Sequence, residues 1–438
     1  MQHYGKGPST GLDQTALGKI QTGLTTDDLV MSTEDKAVLR TLAERVGAIA
    51  ASQEMAETRR RWRAHNNLRP GRPLVFCDPE NGWNEIITEA QMACSGKLSR
   101  RWEMDLRKEI FWGEEMGDDK PVEPFFDIPY TTAPEDWGLE TVFRRSGMAD
   151  GSQSWEGPVQ DYECDLLKLQ TPPIEIDWET TNGCLAIAHD LFDGILESRL
   201  KGTWWWSLGI TLPAVMLRGL TNMFMDFVEQ PDNLKALFAL ISKAHLARLD
   251  YLQARNLLSV NDDGTYVGSG GFGFTDALPK VNGEVHCQNM WGFAESQETV
   301  SVSPEMYAEF VFPYEQPILE RFGINCYGCC EPLHARWETV RQHHGLRRVS
   351  VSPWADVNKM AAQLSDRYVF SYKPAPADLA LPTLDEARLR SSLRQVLEAT
   401  RDCRVELIMK DNHTLGGHSE HAPRWCRMAK EEIERMDR

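Results

Sequence analysis

Three cysteines and an acid crowd into Cys326-Tyr327-Gly328-Cys329-Cys330-Glu331. Thiolates hold zinc-class ions at about 2.3 Å, and the cation in turn keeps the thiols deprotonated. In a chain of 438 residues whose ten cysteines follow no regular framework, such a cluster reads as metal or thiol chemistry in a reducing compartment before it reads as disulfides. The competing reading is that of small buried apolar side chains. Neighbouring side chains usually diverge, so the workable ligand set is two of these thiols with a distant residue such as His413 or Glu295. The set taken forward is Cys329, Cys330 and His413, with His413 alternatively an acid/base group. Glu295-Ser296-Gln297 places three hydrogen-bonding side chains ahead of the Ser303-Pro304 helix start, which makes Glu295 and Gln297 further candidates.

The elements that must position these residues alternate. Pro73 to Asp78 is a short apolar run closed by Pro79 and Asn81-Gly82, the pattern of a buried strand feeding a loop. Helical spacing covers residues 31 to 65 as one amphipathic helix, then 231 to 255, 304 to 319, 332 to 344, 356 to 364 and 383 to 400. Strand patterns fall at 257 to 260, 323 to 327, 348 to 352, 368 to 372 and 404 to 409. Such alternation implies a parallel sheet with helical crossovers. In a (β/α)8 barrel the carboxyl ends of the strands line one mouth. The polar residues fall at those ends: Cys329, Cys330 and Glu331, then Ser352, Trp354 and Asp356, then Lys373, then Lys410, Asp411 and His413. Residues 117 to 182 are rich in Asp, Glu, Pro, Gly and Trp with weak periodicity and read as irregular insertions over a scaffold.

Other motifs carry less. Gly268-Ser-Gly270-Gly271-Phe-Gly273 lacks a helix opening after it and reads as a flexible loop. Trp204-Trp205-Trp206 is read as packing, and His343-His344 as a structural pair at a helix end. Arg59, Arg60, Arg61 and Arg63 read as a solvated helix face. Asp411-Asn-His413-Thr-Leu-Gly416 resembles the lower-ligand motif of cobalamin-binding domains, but too few residues follow Gly416 to build such a domain.

Composition bounds the function class. Lys and Arg number 47 against 65 Asp and Glu, a net charge of -18, which repels a phosphate backbone and argues against nucleic-acid binding. Apolar runs are too short to cross a bilayer, the longest lying near Leu208 to Leu217, and the Gly-, Thr- and Gln-rich stretch from Met1 to Thr25 lacks the apolar core of a signal peptide. A cytoplasmic location with no membrane partner is the expectation.

The run Val302-Ser-Pro-Glu-Met-Tyr-Ala-Glu-Phe-Val-Phe-Pro-Tyr314, followed by Gly323-Ile-Asn-Cys-Tyr-Gly-Cys-Cys-Glu-Pro-Leu333, resembles the uroporphyrinogen decarboxylase superfamily. That superfamily also contains zinc-dependent, corrinoid-linked methyltransferases. Its members show a Ser-Pro-Glu helix ending in Pro-Tyr, then a strand leading to His-x-Cys-Gly with Pro-Leu a few residues on. The likeness runs from about residue 200 to 435, and residues 1 to 200 match poorly. It implies a (β/α)8 TIM barrel over 71–438, with an N-terminal helical extension over 1–70 and long irregular insertions. The Arg-rich segment that the porphyrinogen decarboxylases need is missing. The resemblance therefore implies a methyltransferase working between a small methylated substrate and a separate corrinoid protein or a thiol acceptor, with zinc assistance. Aligning Gly328 puts Asn325 and Tyr327 where the family's His and Cys ligands belong, so either the metal has moved to Cys329 and Cys330 with a partner such as His413, or this branch works without zinc and uses a thiolate or acid/base group directly. Glu331 would then orient a ligand or donate a proton, and Lys373 and Lys410 would hold an anionic substrate group. Asp411 would set the His413 tautomer, while Glu295, Gln297, Ser352 and Trp354 would contact substrate. A decarboxylase or lyase on a small carboxylic acid, needing no corrinoid, is the alternative enzyme. A non-catalytic barrel serving as a binding subunit is a third reading, and a homodimer is expected by analogy with the fold.

Overall fold

The computed structural model describes residues 23–145 and 153–436; the stretch from Met1 read above lies, up to residue 22, outside them. Six short strands form the main sheet. They are β1 (Leu74–Cys77), β6 (Trp291–Ala294), β7 (Ile324–Tyr327), β8 (Leu346–Val351), β9 (Val369–Tyr372) and β10 (Arg404–Met409). All pair in parallel, in the order β1-β10-β9-β8-β7-β6. β1, β6, β7 and β9 are buried along their whole length, as expected when a parallel sheet is covered on both faces. Helices follow the strands, at Pro304–Phe310 and Phe312–Leu319, Trp337–Val340, Val357–Leu364, Glu386–Ala399 and His421–Met436.

Among the described residues, four further strands lie outside this sheet: β2 (Phe125–Ile128) pairs in parallel with β5 (Glu197–Leu200), and β3 (Val142–Arg145) pairs antiparallel with β4 (Gln153–Glu156). Helices Thr33–Ala50, Lys97–Phe111 and Trp178–Phe192 build a second core around β2 and β5, from Leu39, Val46, Leu98, Trp102, Phe126 and Phe192.

The edges of the main sheet are covered by irregular chain, which satisfies backbone groups that would otherwise stand open. Val75 N–H donates to Asp119 Oδ2 (2.9 Å) and its carbonyl accepts from Asp119 N (2.7 Å). At the other edge Leu208 N–H donates to the Phe293 carbonyl (2.8 Å), and the Asn261 side chain bridges Trp291 N and O at 2.8 and 3.0 Å.

Several sequence expectations need correction. Residues 257 to 260 are not a strand, because Asn261 bonds β6 with its side chain in place of a backbone ladder. The expected helix over 31 to 65 is two, Thr33–Ala50 and Gln53–Asn66, because Ser52 caps a new helix by accepting from Met55 N (3.2 Å). The expected helix over 332 to 344 shrinks to Trp337–Val340, since Arg336 is drawn inward to the carbonyl of Val302 (2.9 Å).

The glycine run is not a flexible loop. Residues 267 to 275 are buried and lie across the inner face of the sheet. The Phe272 ring packs on Phe76 and Trp62 at centroid distances of 4.8 and 5.1 Å. The carbonyls of Phe272 and Phe274 each accept from Asn66 Nδ2 at 2.7 Å. Gly271 is required there, since a Cβ would sit 2.8 Å from both Arg348 Nη2 and Glu406 Oε1.

Arg348 and Glu406 form a buried ion pair (Nε–Oε1 3.0 Å) that also takes in His65 Nε2, 3.2 Å from Glu406 Oε2. Burial alone would raise the Glu406 carboxyl, but Arg348 and His65 lower it from its ordinary 4.5 to about 2. A depressed carboxyl stabilises the fold in full above pH 4.5 and loses that contribution as the pH falls toward 2. Glu406→Gln should therefore cost about 3–5 kcal/mol at pH 7 by leaving Arg348 buried and unpaired. Denaturant titrations at pH 7 and through pH 4.5 to 2 should show that loss, and a flatter acid dependence than in the unsubstituted chain.

Candidate functional site

Alternation along the strands decides which side chains reach the interior. Phe76, Phe293, Cys326, Ser350, Ser371 and Ile408 face inward, shown by their contacts with the glycine run, with one another and with Cys329. Two residues further on, the same period of two sets Asp78, Glu295, Gly328, Ser352, Lys373 and Lys410 at the carboxyl ends. All five side chains are buried. Among the described residues, none partners Asp78 Oδ2, Glu295 Oε1 or Ser352 Oγ, nor Tyr266 OH or Trp206 Nε1. Buried polar atoms left open in this way await a ligand or water.

The thiols sit in the loop after β7. Cys329 is buried and Cys330 exposed, with their Sγ atoms 3.6 Å apart. The divergence expected of neighbouring cysteines is thus overcome by the loop. Glu331 arranges it: one carboxylate oxygen accepts from Cys329 N (2.8 Å) and the other from Ser296 N (2.9 Å). Ser269 Oγ, on the glycine run, donates to Cys329 Sγ at 3.1 Å. Asp411 Oδ2 lies 3.9 Å from Cys330 Sγ, so that Cys329, Cys330 and Asp411 offer three ligand atoms within 4.8 Å of one another.

Lys410 is the cation of this cluster. Its Nζ lies 3.0 Å from Asp411 Oδ1, 4.0 Å from Glu80 Oε1 and 3.5 Å from Ser269 Oγ, and 5.7 Å from the centre of the Trp206 ring. Burial works against its charge, yet Cys329, Tyr266, Asp411 and Glu80 together hold the ammonium well above its ordinary range. Glu80 is pushed up to about 8 by burial, with Lys410 opposing. The Cys329 thiol is pushed well above its usual value by its hydrogen bond with Cys330 and by burial. Lys373, bonded to Ser371 Oγ at 2.6 Å, is brought down to about 8 by burial against the pull of Glu406.

The other sequence candidates are placed differently. His413 is exposed, its Nδ1 3.4 Å from Asn81 Nδ2, and it is outside the Cys329-Cys330-Asp411 group. Trp354 is 74% exposed. Gln297 is half-buried and donates its backbone N–H to Glu295 Oε2 (3.0 Å); burial, with Glu298 and Glu331 nearby, pushes Glu295 well above the carboxylate range. Asn325 and Tyr327 face the helical layer. Asn325 Nδ2 donates to Leu319 and His344 carbonyls (2.9 and 2.6 Å), and Tyr327 OH lies among Tyr307, Glu315 and Ser296. Neither can act as a ligand beside Cys329.

Glu80, Asp78, Ser269 and Tyr266 were missed. The strand-end rule applied to 73–78 would have found the first two. Ser269 and Tyr266 required knowing that the glycine run is folded inward.

Two outcomes follow. A trivalent arsenical, which bridges two neighbouring thiols, should add once to the native chain by mass spectrometry, and not to Cys329→Ser or Cys330→Ser. Glu315, pushed up to about 8 by burial, makes stability fall as the pH rises from 4.5 to 8. Glu315→Gln, whose amide oxygen can still accept from the Tyr327 hydroxyl, should fold normally and flatten that slope in denaturant titrations, leaving the part that Glu80 and Glu295 contribute.

No family model matches the chain, and no curated protein does. Among solved structures, a methyltransferase from Methanosarcina mazei is similar at a TM-score of 0.48 and 11% identity, over 87% of this chain and 99% of that one.

Proposed function

We propose that the chain is a methyltransferase moving a methyl group between a small methylated compound and a corrinoid carried by a separate protein, or a thiol acceptor, with a metal ion at Cys329, Cys330 and Asp411. The observation that carries this is the thiol pair. Two sulfurs on a tetrahedral zinc-class ion stand about 3.8 Å apart, close to the 3.6 Å separation of the Cys329 and Cys330 Sγ atoms. Asp411 would give a third ligand, and three protein ligands is the number that catalytic zinc sites use. When bound, the ion supplies Lewis acidity toward a thiol or ether oxygen.

The chain's own residues do the rest. Ser269 donates to Cys329 Sγ and Glu331 fixes the loop. Lys410 offsets negative charge at Asp411 and stands ready for an anionic substrate group. The Trp206 ring, 5.7 Å from the Lys410 ammonium, and Tyr266 stand beside that charge. The strand order supports the (β/α)8 reading, because β1, first in the chain, lies beside β10, last in the chain, as it must in a ring opened between β1 and β6.

Elemental analysis of chain purified without added metal should find about one ion per chain at this site, lost in Cys329→Ser/Cys330→Ser. With methoxylated and methylamine-type donors and free cob(I)alamin, demethylated product should form in step with methylcobalamin, and Cys330→Ser should lower kcat/KM at least about a hundredfold, about 2.7 kcal/mol. Carbon dioxide release from a small acid without any corrinoid would overturn the reading.

A further inference from the structure

We propose that His418, Glu420 and His421 form a second divalent-metal site, of the imidazole–carboxylate kind that takes zinc-class ions, where the β10 loop enters the last helix. It does not rest on the methyltransferase reading and uses none of that site's residues.

The three side chains bring one ligand atom each within 4.8 Å of one another. His418 Nδ1 and Glu420 Oε1 stand 3.3 Å apart, which is the edge of a tetrahedron whose ligands lie at about 2.0–2.1 Å from the ion. The His421 ring is 1% exposed, and its Nδ1 lies 2.9 Å from the Leu379 carbonyl. A carbonyl only accepts, so Nδ1 carries the proton and the lone pair is left on Nε2. A metal-ligating histidine is commonly oriented in this way. The His418 and His421 rings stack at 4.7 Å and 15°, which holds the two imidazoles side by side, and an ion shared by both would require the half-buried His418 ring to rotate out of that stack.

The loop is already held for this. Glu85 accepts from the backbone N–H groups of Leu415 (3.1 Å) and Gly417 (2.8 Å), and His421 N–H donates to the His418 carbonyl (3.0 Å). An ion here would fasten the segment carrying Lys410 and Asp411 to the chain around Leu379.

Cobalt(II) titration of the full chain separates the two sites, since thiolate ligands give a sulfur-to-cobalt charge-transfer band and an imidazole–carboxylate set gives only d–d absorption. The native chain should bind one cobalt equivalent without the charge-transfer band. His418→Ala and Glu420→Gln, both at partly exposed positions, should lose that equivalent and keep any thiolate band, and Zn(II) should raise the native Tm by more than it raises theirs. Equal cobalt stoichiometry and an equal Zn(II)-induced Tm shift in the native chain and His418→Ala would overturn the proposal. A titration with no charge-transfer band, but with this equivalent retained and His418-dependent, would sink the thiol site and leave this one standing.

Discussion

The ion pair between Arg348 and Glu406 is the constraint on which the interior depends. It places two opposite charges on the inner faces of β8 and β10, where burial is complete. Such charges persist only when their remaining hydrogen-bonding capacity is met. His65 and Asn66, from the end of helix Gln53–Asn66, and Ser371 supply most of it. Meeting it draws that helix end to the sheet and pulls the glycine run down between them. The same descent delivers Ser269 to Cys329, so the geometry at the thiols follows from a charge pair at the opposite end of the strands.

At the carboxyl ends the balance is different. One ammonium, Lys410, lies among Asp411, Glu80, Tyr266 and Cys329. Of the five non-glycine residues with left-handed backbone among the described residues, Glu80 (φ 51°) and Asp411 (φ 62°) flank this same ammonium. Backbone in that region costs of order 1–3 kcal/mol per residue and persists where surrounding structure over-determines it. Asp411 is set by its ion pair, and Glu80 by its N–H to Asp78 Oδ1 (3.1 Å). Strain of this kind is gathered here around one buried charge, with several unpartnered polar atoms nearby among the described residues.

Much of this was legible in the sequence because parallel strands obey a period of two and end in polar residues. Ser352, Lys373, Lys410 and Asp411 were reached from that rule, and β8, β9 and β10 lie within two residues of their expected bounds. What was not legible depends on folding over distance. Asn325 and Tyr327 stand one residue off the inward face, a difference that motif alignment cannot see and that pleating makes absolute. Ser269 sits in a glycine pattern that reads the same whether loose or buried. His413 looked the natural third ligand by type, but the turn after Asp411 carries it outward to Asn81, while His418 and His421, further along the same loop, come together.

The glycine run also sets a floor. A Cβ on Gly270 would come within 2.4 Å of Ile408 Cγ2, so the chain there is already in contact with the strand, and nothing can pass beneath it. The floor at Ile408, two residues before Lys410, is therefore main chain and not a side chain that could swing aside. Variation around Lys410 is left to the lengths and side chains of the loops that follow the strands.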